Sequence, residues 1–187
     1  MKRWSSKLSQ ENKYVFLLAI VLIAFAIVAR LLPHPANFTP VGAAIIFAAL
    51  YLPRRWALVI PFSILIVSDL MIGFYSWPIM LCVYGSFLIM ALLGFWIRKR
   101  KNVLTVISGT LIGSILFFLI TNAAVWLFGT MYVHDLSGLM TSYMNAVPFF
   151  RNTIAGDLFY VAILVGVMEL VQSGISIRQR ARVEITA

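Results

Sequence analysis

An all-α membrane protein, a bundle of six transmembrane helices, is the fold this sequence predicts, and three observations predict it. The 187-residue chain is 62% hydrophobic and 11% charged, whereas a soluble domain carries about 25% charged residues. Its apolar residues gather into six runs, most of them close to the roughly 20 residues that a spanning helix needs. Of its 15 Lys and Arg residues, only Arg30 and Arg151 lie on one side of those runs. Short cytoplasmic loops hold the excess of Lys and Arg, so both termini are expected inside and three loops outside. The formal net charge of +9 does not point to nucleic acid, because the cations sit at span ends, where anionic lipid headgroups meet them.

The runs follow in order as one transmembrane domain over 1–187, with spans at about 14–32, 38–52, 57–74, 79–97, 103–128 and 154–171. The first, Tyr14 to Leu32, follows a basic start. It is longer than a signal-peptide core and lacks a small-residue cleavage site, which makes it a retained span. Pro33-His34-Pro35 ends it, since proline cannot continue a helix. The second has an apolar part, Val41 to Leu52, of only half the needed length. It must be extended by residues 37–40, thin the bilayer, or sit partly in protein. Its Ala44 and Ala48 form a small-xxx-small pair suited to close helix contact.

The third run carries Pro61 and Asp69. A short turn through Tyr75 leads to the fourth, which the Arg98–Lys101 cluster stops. The fifth contains Gly109-x-x-x-Gly113, with Thr121 and Asn122 in its outer third. Between the fifth and sixth, residues 135–147 place Leu136, Leu139, Met140, Tyr143 and Met144 at three- and four-residue spacing. That spacing predicts a short amphipathic helix lying on the outer surface. The sixth run carries Asp157 near its start and Glu169 near its end.

Polar and aromatic side chains collect on the outer side: His34, Asn37, Phe38, Asp69, Tyr75, Cys82, Tyr84, Asn122, Tyr132, His134, Asp135, Tyr143, Asn145, Phe149, Phe150, Arg151, Asn152 and Asp157. Ionisable groups at membrane depth are costly, so they are paired or functional. Asp69 and Asp157 suit structural pairing or ligand contact alike, and Arg151 is the expected cationic partner of one of them, pinning the outer loop to the bundle. The aromatic residues also suit an interfacial belt. Cys82 is the single cysteine, which excludes an intrachain disulfide and a Cys–Cys metal pair. It is either a small buried hydrophobe or, as thiolate, a ligand for a soft or borderline metal. No nucleophile elbow, HExxH helix or phosphate loop is present, and no pair of acid and base groups is placed at hydrogen-bond reach.

Leu31 to Pro40, Ser68-Asp69, Thr121-Asn122, and Pro148 to Thr153 followed by Gly156-Asp157-Leu158 resemble a family of small bacterial inner-membrane proteins. That family is similar in size and layout to the substrate-binding S-components of energy-coupling-factor vitamin transporters. Within that group the chain most resembles the BtuM-type cobalamin transporters, in which a single cysteine near the outer pocket binds cobalt; Cys82 is the matching position. The resemblance implies a bacterial inner-membrane location and an S-component-like bundle. It also implies cobalamin or a related corrinoid as the bound substrate, with Cys82 as axial cobalt ligand. Thiolate donation from Cys82 would help expel an upper cobalt ligand, the one catalytic step implied. Membrane lipid, a small-molecule vitamin and an energy-coupling ATPase module are the implied partners. The first run offers Ala19, Ala24, Ala26 and Ala29, without the Ala-x-x-x-Ala face by which S-components dock. An S-component-like carrier of another vitamin or metal, with Cys82 structural, stands as an alternative, as does a membrane enzyme using the outer carboxylates.

Overall fold

The computed structural model describes the backbone of residues 2–186 and the side chains of residues 13–174, and among these there are only helices. They are α1 (Lys2–Leu31), α2 (Val41–Tyr51), α3 (Arg54–Ile72), α4 (Trp77–Arg98), α5 (Val103–Phe128) and α6 (Leu136–Thr186). Five contain stretches long and apolar enough to cross a membrane, consistent with a multi-pass membrane protein. Lys2, Arg3 and Lys7, and Arg178, Arg180 and Arg182, lie outside the described side chains.

α2 is the exception, and it organises the rest. It has 11 residues, about 16 Å of helix against a hydrocarbon core of about 30 Å. Residues Val41 to Leu50 are all buried, and α2 touches each of the other five helices. Of the three ways open to a short apolar run, this one sits in protein. Its small residues explain how. Gly94 of α4 lies against Ala49 so closely that a Cβ there would collide, and Ala43, Ala44 and Ala48 are fully buried. Small side chains of this kind let helix backbones approach where no water is available to drive packing. The Gly109/Gly113 pair of α5 does the same against Ile97 and Met90 of α4.

One end of the bundle, the basic end, carries Arg54, Arg55 and Arg98–Lys101. Arg98 Nη1 donates to the carbonyl of Leu52 at 2.8 Å, a cation meeting the carbonyls left over at the C-terminal end of α2. Asn102 and Thr105 form a capping box that starts α5. The opposite, loop end carries residues 32–40, 73–76 and 129–135.

The surface helix expected over 135–147 is not separate. It is the first part of α6, which continues through Pro148 without interruption. It stands along α5 rather than lying flat: Tyr143 Oη donates to the carbonyl of Leu119 at 2.9 Å and Ser142 Oγ to that of Asn122 at 3.1 Å. Phe150 stacks on Phe118 with ring centroids 4.4 Å apart. The spacing of apolar residues was real, but α5 is its partner. Of that stripe Leu139 and Tyr143 turn inward, while Leu136, Met140 and Met144 stay exposed. Asp135 caps the helix, its Oδ1 accepting from the N–H of Gly138 at 2.7 Å.

Candidate functional site at the loop end

Because α2 begins only at Val41, the centre of the bundle has no helix at the loop end. Residues 32–40 fill part of the gap as irregular backbone. Asn37 takes a left-handed conformation with φ 65°, which Asn tolerates better than most residues. Asn152 of α6 donates to the carbonyl of Ala36 at 2.9 Å. Gly156 allows α6 to approach this segment, since a Cβ there would lie 3.2 Å from Phe38 Cα. Phe38 packs between Phe159 and Tyr160. Residues 32–37 of this segment are exposed, and it turns inward only from Phe38 to the buried Pro40, where it meets the start of α2 and can line a cavity.

It does line one. A cavity of about 100 Å³ lies over the start of α2, bounded by Asn37, Thr39, Val41 and Gly42, by Phe87 and Met90 of α4, and by Arg30, Thr153 and Asp157. A second, of about 290 Å³, shares Asn37, Phe117 and Thr153 with it and continues between α5 and α6 past Phe118, Asn122, Phe149 and Phe150. The two are adjoining chambers of one cleft, polar at its floor and aromatic along its length.

Asp157 forms the floor. It is 4% exposed, and Ser114 Oγ of α5 donates to its Oδ2 at 2.7 Å. Its Oδ1 lies over Gly42, where any Cβ would collide with it. Among the described residues no cation pairs with Asp157; the ion pairs are Arg30–Asp69 and Lys101–Glu169.

Arg30 stands at the side of the same chamber with its charge already met. Its Nη2 lies 2.9 Å from Asp69 Oδ1, and its Nη1 donates to Ser68 Oγ at 2.6 Å. Tyr84 Oη donates to Asp69 Oδ2 at 3.0 Å. The network joins α1, α3 and α4, and Asp69 is 1% exposed. Tyr75, in the turn before α4, has its phenol pushed up to about 12 by partial burial and then by the charge of Asp69, which keeps it a neutral hydrogen-bond donor.

A family model described as a family of unknown function (DUF6580) matches residues 10–179. The chain belongs to this family. No curated protein and no solved structure matches it. The match spans every element of the cleft, from Arg30 to Asp157, so the cleft of this DUF6580 member lies wholly within the shared region.

Of the residues singled out in the sequence, Asn37, Asn122, Phe149, Phe150 and Asp157 line the cleft. Asp69 and Tyr84 do not; Asp69 pairs with Arg30, and Tyr84 donates to Asp69. Phe38 anchors the loop and Tyr143 the start of α6. Tyr132 accepts from Asn145 at 3.5 Å. His34 and His134 are exposed and hydrogen-bond to nearby carbonyls. Cys82 is half-buried with a free thiol, one residue before the lining Val83, and lines neither chamber. The expected pairing of Arg151 with Asp69 or Asp157 is wrong. Arg151 is exposed, and Arg30 takes Asp69 from the end of α1.

Sequence reasoning missed Arg30, Thr153, Ser114 and Gly42. The signal for Arg30 was present: an arginine one turn from the end of an apolar run is too costly to leave unpaired. Ser114 and Gly42 gave no such signal, since small residues in an apolar run read as packing.

Proposed function

We propose that this protein is a membrane transporter that binds a small solute from the extracytoplasmic side, with the basic end in the cytoplasm and the loop end outside. The observation that carries the reading is the short α2, which leaves the bundle's centre open at one end and puts a buried carboxylate at its floor. Broken or shortened helices whose ends face a mid-membrane site are the common construction of solute carriers. The two chambers together reach the lower range of small-molecule sites, about 300–1,000 Å³. An enzyme using loop-end carboxylates is less well supported, because Asp69 is committed to Arg30 and this leaves Asp157, among the described residues, as the single carboxylate lining the cleft, with no second acid or base beside it.

The corrinoid form of this proposal rests on the resemblance and on Cys82. A corrin ring is larger than the two chambers, and the thiol lies beside them rather than in them. Binding would require residues 32–40 and the start of α6 to part from α4. An energy-coupling ATPase partner belongs to the same proposal, as does the thiolate-assisted loss of an upper cobalt ligand.

Two measurements separate these forms. Native mass spectrometry of protein purified from its own membranes should show a bound small molecule that Asp157→Asn loses; a bare wild-type protein would refute the carrier reading. Protein incubated with hydroxocobalamin and passed through a sizing column should carry a corrinoid spectrum that changes in Cys82→Ser. Identical spectra, or none, would remove cobalt coordination while leaving the cleft in place.

A further inference from the structure

Arg30 at the cleft is paired with Asp69, and the carboxylate left without a cation among the described residues, Asp157, assigns a substrate class. Resting on the carrier reading above, we propose that the cleft selects small organic cations with a flat apolar body, held by Asp157 at the head and by phenylalanine rings along the body.

Three observations support it. First, the cation beside the inner chamber is already neutralised. Arg30 is bound by Asp69 at 2.9 Å and by Ser68 at 2.6 Å, so the pair presents little net charge. Second, Asp157 has no such partner. It is 4% exposed, accepts one hydrogen bond from Ser114, and is unpaired among the described residues. An ionised carboxylate taken out of water is costly unless a cation meets it, so the floor of the cleft holds a carboxylate that lacks the counter-charge a bound cation would supply. Third, the way in is aromatic. Phe117 and Phe118 of α5 face Phe149 and Phe150 of α6 in the outer chamber, and ring faces attract cations as well as flat apolar bodies. Asn37 and Asn122 supply uncharged polar contacts on the way.

An anion is disfavoured by the same arrangement, because Arg30 would have to leave Asp69 unpaired in order to greet it. Arg151 offers no alternative, being exposed and absent from both linings.

Three probes of one shape and different charge test the proposal: benzylammonium, benzyl alcohol and benzoate, titrated at neutral pH into the detergent-solubilised full chain by calorimetry. Benzylammonium should bind at least tenfold more tightly than the other two, and Asp157→Asn should abolish that preference. Asp69→Asn is the second arm. Asp69 lies outside the cleft, yet its replacement would release the charge of Arg30 beside the inner chamber, and affinity for benzylammonium should fall several-fold. A purely structural role for Asp69 would weaken all three probes alike. Preference for benzoate or benzyl alcohol, or a preference for benzylammonium that survives in Asp157→Asn, overturns the cation assignment but leaves a solute carrier. Failure of all three probes to bind the wild type overturns the cation assignment as well, while the carrier reading stands or falls by the native mass spectrum.

Discussion

The two ion pairs among the described residues sit at opposite ends of the bundle and differ in almost everything but length. Arg30–Asp69 is 2.9 Å long and Lys101–Glu169 is 2.6 Å. The first joins α1 to α3, has side chains 20% and 2% exposed, and draws in Ser68 and Tyr84. The second joins α5 to α6, has side chains 32% and 47% exposed, and Tyr51 of α2 also donates to Glu169. The distances would rank the second as stronger. Burial reverses the order, because removing one partner of a buried pair leaves an uncompensated charge, while an exposed pair exchanges its partner for water and salt.

The sharpest way to break this comparison is to remove one partner at the loop end. Asp69→Ala and Arg30→Ala should each lower stability in detergent by about 3–5 kcal/mol. The double replacement Arg30→Met with Asp69→Leu should cost less than either single change, because no charge is left alone. Thermal or denaturant unfolding checks this; additive losses would mean that the pair is not coupled.

The next test concerns the cleft floor. Gly42→Ala places a methyl group where Asp157 Oδ1 and Met90 Sδ already are. Overpacking of this kind costs about 1–3 kcal/mol, and the displaced carboxylate should bind benzylammonium more weakly. Gly85→Ala in α4 is the matched control, since nothing lies within 4 Å of its added Cβ. It should be neutral or raise stability by up to about 1 kcal/mol. A similar loss at both positions would show that helix flexibility, not the close approach of Asp157, explains the effect.

The contrast between the two ends also marks what could be read from the sequence. The five long helices were legible, because runs of apolar residues report on lipid and core alike. Even the anomaly of α2 was visible as a run too short to span. Where it would sit was not, since hydropathy cannot tell a helix sheathed by five others from one facing lipid. At the cleft, Asn37, Asn122, Phe149, Phe150 and Asp157 were found because polar or aromatic groups near span ends stand out against an apolar background. Arg30 was missed because it was weighed as a topological marker and not as a cation in need of a partner. The continuity of α6 was hidden by Pro148, which signals a break wherever neighbouring helices do not hold the chain in line.

At the basic end the effects should be small. Lys101→Ala removes the partner of Glu169 but leaves Tyr51 bonded to it. The loss should stay under about 1 kcal/mol and shrink as salt rises. A salt-independent loss larger than that would make this pair resemble the one at the loop end.

The smallest expected effect belongs to the residue that sequence reasoning favoured as the pin of the outer loop. Arg151 is exposed on α6 and has no ion-pair partner among the described residues. The outer segment it was expected to fasten is held by other contacts: Tyr143 to the carbonyl of Leu119, Ser142 to that of Asn122, and Asn152 to that of Ala36, which ties it to residues 32–40. Arg151→Ala should therefore change stability by no more than about 0.5 kcal/mol, while Asn152→Ala, which frees the Ala36 carbonyl, should cost about 1 kcal/mol. An Arg151 variant that melts well below the wild type, with the Asn152 variant unchanged, would return the clamp to the arginine and undo the account of how residues 32–40 are held.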